Sequence, residues 1–562
     1  MTLLGVHEQE TKAREDESPA EFFFPSQRPT FRCWWTFNRA SSWLRGSITL
    51  PFLVVVANVL VSDLLSAQTG STEVPPAPDL QAALPDGLTL LAAIEQTTTA
   101  AIAKAERSVV AIARVRREQV PAARAAELRI PESGGFEALP DNPDFVPSNF
   151  GSGVVISADG FIVTCAHVLD DPRQNDYYVW LDKRVYPARV VSKAAQVYAS
   201  DPFTDLAVLK IEADGLIPIE FAKDLQLKKG QFVIALGNPY AIARDGQASA
   251  SWGMIANLNR IAPSDVPENS ALAAKESLHQ FGTLIHTDAK LNLGTSGGAL
   301  VNLRGEMIGL TTSLAAVNGY EQAAGFALAV DEMFLRVIES LKAGKLPEFG
   351  FLGIQPEDLR QVDLQRGFSG AKVVNVVPGL PGDQAGLQSD DVISQVNSRP
   401  VRNRNDLFRE LSQLSAGAEV SLLVERPKNA LRGTDVLTLK ARLSKKYVST
   451  SRPGYALNGP EKWRGMLVEY ATAVPSELTR GASMFSRRTV SKLAILAVDP
   501  GTPAWDAGIR PGHALISVDG KTVESPNAFN DLVNGRDDTI LLQVVRANDR
   551  PENVSVAAEK LP

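Results

Sequence analysis

A serine set among glycines, one histidine behind an apolar run and one aspartate in front of another carry the chemistry in this chain. The stretch LNLGTSGGAL places Ser296 between Gly294 and Gly297-Gly298. Glycines let the backbone take positive φ and pass close to other segments. A serine hydroxyl attacks at neutral pH only with a base in hydrogen-bond reach and a third group orienting that base. The chain has five histidines, His7, His167, His279, His286 and His513. His7 precedes the apolar stretch described below, and His513 sits in a turn of a repeated C-terminal module. His279 and His286 lie close before the serine; His286, in GTLIHTDAK, reads as a strand position, where a satisfied core or surface histidine is the plainer role. His167 ends the apolar run GFIVTCAHVL, read here as a strand that a rigid barrel can use to hold an imidazole still.

For the orienting carboxylate, SDPFTDLAVLKIE offers Asp201 and Asp205. Asp205 opens directly into Leu206-Ala207-Val208-Leu209, where a partly buried carboxylate needs a partner and an imidazole N–H supplies one. Asp201, on the polar side of a proline, reads as solvated. Chain order then separates the scaffolds. Gly294 to Gly298 also fits the nucleophile elbow of α/β-hydrolases, which needs its acid and histidine after the serine. Only His513 follows, in another module, so an esterase or lipase is disfavoured. The subtilisin order lacks an acid motif before His167. His167, Asp205, Ser296 is the order of the chymotrypsin-like double β-barrel.

The elements that must position these residues are short. Leu88 to about Arg107 suits a helix; SVVAIARV, GSGVVIS, GFIVTCAHVL, DYYVWL, LAVLKI, QFVIALGN, GALVN and EMIGLTTS read as strands with turn residues between them. Many short strands with few helices indicate an all-β barrel or sandwich. Beyond Pro347 the chain repeats: the spacing that pairs Ala385-Gly386 with Ala507-Gly508 also pairs Pro378 with Pro500, Val396 with Val518 and Val401 with Val523. Each copy has a turn, a short helix ending near Ala-Gly, and a hairpin signal at Asn397-Ser398 or Asp519-Gly520.

Ahead of these lie a mixed-charge segment, 1–46, and an apolar run over 47–67. As a helix, Ile48 to Leu65 reaches about 27 Å, enough to cross a bilayer. Arg28, Arg32, Arg39 and Arg45 precede it and almost no positive charge follows, which puts the N-terminus in the cytoplasm. An uncleaved transmembrane anchor fits better than a signal peptide cut after Ala67, because the leader is long for a cleavable signal. A polar, proline-bearing linker, 68–87, follows. The net charge of −7 and the lack of clustered Lys and Arg in the folded part exclude a general nucleic-acid binder. The two cysteines, Cys33 and Cys165, cannot make a disulfide framework, and no Cys/His cluster has metal-ligand spacing. No metal or organic cofactor is implied.

The motifs GSGVVISADGFIVTCAHV, TDLAVLKI, LGNPY, TDAKLNLGTSGGALVN and GFALAV, followed by the two repeats, resemble the HtrA/Deg family of serine proteases with tandem PDZ domains. The resemblance implies a protease domain over 88–346, a first PDZ domain over 347–446 and a second over 447–562. It implies His167 as general base then acid, Asp205 as its orienter and Ser296 as nucleophile. The oxyanion hole falls on Gly294-Thr295-Ser296, with the N–H groups of Gly294 and Ser296 as donors. The chain departs from the family pattern at Thr295, where Asn is usual, at Leu293, where Pro is usual, and at Cys165, a position often held by Asn. Leu314, Ala315 and Ala316 fall where the family builds its primary specificity pocket and suggest an apolar lining for small or medium aliphatic side chains.

A PDZ domain adds a peptide to its sheet edge and holds the peptide's carboxylate on backbone N–H groups of a glycine-containing loop. In the first repeat that loop is Leu352-Gly353-Ile354. In the second, WRGMLVE puts Arg464 where an apolar residue is expected, so the first is the better reader of peptide C-termini. The expected function is a membrane-tethered serine endopeptidase acting on unfolded or damaged envelope proteins, assembled as a trimer or a multiple of trimers. The competing expectation is a chaperone or scaffold that holds polypeptides without cutting them.

Overall fold

Val109–Arg116 (β1), Asn149–Val155 (β2), Phe161–Cys165 (β3), Asn175–Leu181 (β4), Arg184–Pro187 (β5), Ala199–Asp201 (β6) and Leu206–Lys210 (β7) form the first sheet. Residues 206–209 are buried without alternation, as in a strand covered on both faces. The computed structural model describes residues 87–116, 149–181, 184–187, 198–223, 226–238, 247–261, 277–312, 325–428, 433–450, 454–479, 491–546 and 550–559. The apolar run over 47–67 and the segment carrying Leu314, Ala315 and Ala316 lie outside the described residues. Among the described residues no helix is long and apolar enough to cross a membrane.

The first sheet is antiparallel, in the order Tyr455–Ala456, β6, β7, β3, β2, β1, β4, β5. Its outermost strand therefore comes from the segment between the two repeats and covers the edge of β6 through Tyr455↔Ser200 and Ala456↔Ala199. Phe232–Gly237 (β8), Ser249–Arg260 (β9), Leu284–Thr287 (β10), Ala299–Val301 (β11), Met307–Thr312 (β12) and Gly325–Ala329 (β13) close a barrel in the order β10, β13, β12, β11, β8, β9. One apolar cluster runs through both sheets, from Val154, Ile162 and Leu209 to Leu236, Leu310 and Leu328. Helix α1, Gly87–Ala105, touches it only through its C-terminal end, where Ala101 and Ala105 are buried.

The strand reading of GFIVTCAHVL runs too far. β3 stops at Cys165 and Ala166–Leu169 turn into a short helix, α2. Helix α3, Glu332–Lys342, is capped by Asp331, whose carboxylate accepts the Phe334 N–H at 2.9 Å.

Each repeat folds as a five-stranded antiparallel path, and two helices match between the copies. The first uses Ile354–Asp358, Ala371–Val376, Val392–Val396, Glu419–Pro427 and Thr434–Arg442, with helices at Pro381–Gln384 and Arg404–Ser412. The second matches it with Met466–Tyr470, Leu493–Val498, Ala514–Val518, Ile540–Val545 and Pro551–Val556, and helices at Pro503–Asp506 and Pro526–Val533. Both hairpins have two successive positive φ values, 47° and 67° at Asn397-Ser398 and 47° and 79° at Asp519-Gly520, as a type I′ turn requires. The first repeat is docked on α3, the helix that follows the barrel. Arg336 of α3 donates to the carbonyls of Glu348 at 2.7 Å and Ser412 at 2.9 Å, and the Gln413 carboxamide accepts from Met333 N–H at 2.7 Å while donating to Asp331 at 3.0 Å.

Candidate active site

Asp205 sits in the tight turn between β6 and β7 with φ 56°, and its carbonyl accepts the Ala166 N–H at 2.9 Å. That bond sets the first residue of α2 and brings His167 over the carboxylate. The backbone N–H of His167 donates to Asp205 Oδ1 at 3.0 Å, and the ring Nδ1 lies 3.0 Å from Oδ1 and 2.8 Å from Oδ2. An ionised carboxylate only accepts, so Nδ1 carries the proton and Nε2 is left as the acceptor. The histidine side chain is 26% exposed and the aspartate 9%, an imidazole at the surface on a buried anion. Burial pushes the Asp205 carboxyl up, but the charge and hydrogen bonds of His167, with His279 nearby, outweigh it and hold the group below its usual range.

Asp201 is not solvated. It is buried, and its carboxylate accepts from Thr204 Oγ1 at 2.7 Å, Thr204 N–H at 3.2 Å and Phe203 N–H at 3.3 Å. These bonds fold the turn that ends at Asp205. Burial, opposed by the same bonds and helped by the Asp205 charge, raises its pKa to about 6. The sequence reading fails because the carboxylate folds back onto its own turn instead of facing water.

Ser296 is held through its neighbours. Its carbonyl accepts the Ser152 N–H of β2 at 2.8 Å, and Gly297 N–H donates to Thr311 O of β12 at 2.8 Å. A Cβ at Gly297 would overlap Ser152 O and Thr164 Oγ1, so this glycine presses the serine loop against β2 and β3, the strand that leads into His167. Cys165 Sγ lies 3.5 Å from Thr311 O, the carbonyl that also receives Gly297 N–H. The structure thus joins His167 to Asp205 directly and packs the loop of Ser296 on β2, β3 and β12, of which β3 leads into His167. Cys165 is fully buried, and burial, then the Asp205 charge, raises its thiol well above the usual value, where it is inert.

The three residues assigned to the oxyanion hole differ. Thr295 N–H donates to Asn292 O at 3.1 Å, and its hydroxyl donates to the same oxygen at 2.7 Å, so the Thr295 amide is spent inside the turn. Gly294, at the third position of that turn, has φ 97°. A positive φ there is the mark of a type II turn, which leaves the Gly294 N–H outside the turn's own hydrogen bond. Ser152, close to the site, escaped the sequence reading, and so did the burial of His279. Ser152, in GSGVVIS, has its hydroxyl on the Gly294 carbonyl at 2.7 Å; His279 is buried, and burial lowers its pKa to about 4 against the pull of Asp205. Cys165, His167 and Asp205 offer S, N and O donors within 4.8 Å of one another. A zinc ion holds N and O ligands about 3.3 Å apart, however, and the 2.8 Å contact between His167 and Asp205 leaves no room for one.

In the first repeat Leu352, Gly353 and Ile354 line a groove with Leu407, Phe408 and Leu411, and its far wall comes from the peptidase part of the chain: Phe203, Leu278 and Phe281. Gly353 has φ 77°, and a Cβ there would overlap Leu380. In the second repeat Arg464 turns inward. It is buried, with its guanidinium donating to the carbonyls of Val556, Ala557, Arg536 and Asp538 at 2.7 to 2.9 Å.

An antiparallel sheet and a closed barrel with this arrangement, followed by these repeats, define a trypsin-like serine peptidase carrying two PDZ domains. The trypsin-like peptidase domain family matches residues 151–310, and PDZ domain families match 350–440 and 495–546. A "probable periplasmic serine endoprotease DegP-like" of Chlamydia trachomatis is 30% identical over 403 residues, covering 70% of this chain and 72% of that protein. One of the same description from Brucella suis is 28% identical over 418 residues, 72% of this chain and 73% of that protein. The solved HtrA-type protease AlgW with tripeptide is 23% identical, spans 62% of this chain and 97% of its own, and gives a TM-score of 0.43. The chain belongs to the HtrA/Deg family and is a serine endopeptidase.

Proposed function

We propose that His167, Asp205 and Ser296 are the catalytic triad of an endopeptidase that cuts unfolded or damaged polypeptides outside the cytoplasm. The observation that carries this reading is the seating of His167 on Asp205 by ring and backbone together, with Nε2 left to take a proton. Ser296 Oγ attacks the scissile carbonyl as His167 Nε2 accepts its proton; the same nitrogen then returns a proton to the leaving amine, and Asp205 stabilises the imidazolium between the two steps. The N–H groups of Gly294 and Ser296 receive the oxyanion. Leu314, Ala315 and Ala316, apolar in type, favour small or medium aliphatic side chains at the cleaved position.

The chain divides into a cytoplasmic segment over 1–46, an anchor over 47–67, a linker over 68–87, the protease domain over 88–346 and PDZ domains over 347–446 and 447–562. It works as a trimer or a multiple of trimers, with the first PDZ domain reading peptide C-termini at Leu352, Gly353 and Ile354. The location is supported by relatives described as periplasmic. Casein digestion by wild type and Ser296→Ala tests the core of the reading: the variant should leave casein intact, and equal cleavage by both would remove the assignment of Ser296.

A further inference from the structure

Two buried hydroxyls grip two successive carbonyls of the loop that holds Ser296. Ser152 Oγ donates to Gly294 O at 2.7 Å and accepts the Asn238 N–H at 2.8 Å. Thr311 Oγ1 donates to Thr295 O at 2.6 Å, and that oxygen also accepts the Gly298 N–H at 3.0 Å. Neither Ser152 nor Thr311 has any measurable exposure, and both sit on strands, β2 and β12, rather than on the loop they hold.

Peptide planarity turns these bonds into aim. In a trans peptide the C=O and the following N–H point in opposite directions. Fixing Thr295 O toward Thr311 therefore points the Ser296 N–H away from β12. Fixing Gly294 O toward Ser152 points the Thr295 N–H the other way, into its bond with Asn292 O, and restrains ψ of Gly294. That restraint matters because a glycine at φ 97° has no side chain to resist rotation, and rotation there would swing its own N–H out of line. We propose that Ser152 and Thr311 are positioning residues that aim the two oxyanion donors, a role that rests on the triad reading above. They touch no substrate; they fix the carbonyls so that no reorganisation is left for the moment when negative charge develops.

The test compares Thr311→Val and Ser152→Ala with wild type on a peptide substrate, alongside Ser296→Ala. Removing a whole oxyanion donor typically costs about 10²- to 10³-fold in kcat, so a donor that is only misaimed should cost about ten- to a hundredfold in each variant. KM should stay within about twofold, because ground-state binding does not use the hole. A peptide aldehyde, whose adduct carries the oxyanion, should weaken by the same factor as kcat, whereas a product peptide acid should bind as to wild type. Thr311→Ser keeps the hydroxyl and should restore kcat. Thr311→Val keeps shape, so it carries the test even if Ser152→Ala fails to fold. A folded Thr311→Val with wild-type kcat, or one that weakens aldehyde and product alike, overturns the inference. If instead Ser296→Ala cleaves like wild type, it is the triad reading that falls.

Discussion

The carboxylate of Asp205 lies beneath both the ring and the main chain of His167, taking the backbone N–H at 3.0 Å and facing Nδ1 at 2.8 Å. The first bond fixes where the ring starts and the second fixes which nitrogen carries the proton. Asp205→Asn separates the two. The amide oxygen can still accept the backbone N–H, but an NH₂ group facing Nδ1 forces the proton onto Nε2, where it blocks the base. The expected result is a fall in kcat of about 10⁴-fold at little-changed KM and unfolding temperature. Steady-state kinetics with a thermal melt checks it; a variant within tenfold of wild type would show that Asp205 does not set the tautomer.

The first PDZ domain is joined to the protease domain by an aromatic pair, Phe281 and Phe408, with centroids 4.6 Å apart. Lys446 places its ammonium 4.6 Å from the Phe203 ring centroid and 4.9 Å from that of Phe281. Such aromatic pairs couple by about 0.5–1.5 kcal/mol beyond the area they bury. A double-mutant cycle on Phe281→Ala and Phe408→Ala should recover a coupling of that size in melting experiments. Hydrogen exchange along Arg404–Ser412 should also quicken in either single variant. Strictly additive melts would mean the two rings are neighbours without being partners.

His279 makes stability depend on pH in a defined window. Its Nε2 has no hydrogen-bond partner, and burial holds its pKa at about 4 where the unfolded chain has 6.5. Above pH 6.5 both states are neutral. Between 6.5 and 4 the unfolded chain binds a proton that the folded protein refuses, so stability falls as pH falls, by about 2 kcal/mol at pH 5. Asp201 works in the opposite sense: with its pKa raised to about 6, the folded protein keeps a proton that the unfolded chain has given up, so stability rises as pH falls from 6 towards 3.8. His279→Leu removes the first effect and keeps the second. Its denaturation midpoint should gain on wild type between pH 7.5 and pH 5, and parallel pH profiles would show that His279 does not titrate this way.

His167, Asp205 and Ser296 were legible as residue types and as an order along the chain. Few histidines are present, one of them follows a run apolar enough to be a strand, and a serine among glycines has a narrow set of uses. Their surroundings were not legible. Ala166-His167-Val168-Leu169 continues the apolar character of β3, and periodicity cannot separate a strand from one turn of helix in so short a run. β9 escaped notice because only Gly253 and Ile255 of its twelve residues are buried, too sparse a signal beside loops of similar polarity. Asp201, read as solvated, is buried by turning its carboxylate onto Phe203 N–H and Thr204, a local fold-back that its place beside a proline does not announce. Ser152 and Thr311 look in sequence like any hydroxyl in a half-polar strand; only the register of β2 and β12 around the serine loop shows what they hold.

Arg464 is where the two PDZ domains part. The equivalent residue, Leu352, is 2% exposed and packs in its domain's apolar cluster. Arg464 is also buried, but its guanidinium, which stands 4.5 Å from the Trp463 ring centroid, feeds hydrogen bonds into the carbonyls of Val556, Ala557, Arg536 and Asp538. These oxygens belong to the end of the last strand and to the loop before Ile540–Val545, so one side chain pins both to the glycine loop. Arg464→Ala leaves four carbonyls short of a donor, and an unsatisfied buried polar group costs about 1–3 kcal/mol. Water entering the space offsets part of that, so the expected loss is about 3 kcal/mol, confined to the second PDZ domain. Exchange of amides in Met466–Tyr470 and Pro551–Val556 should quicken while those of the barrels, and hydrolysis of a short peptide, stay as in wild type. Unchanged exchange in both strands would mean that the arginine fills the position without holding the domain together.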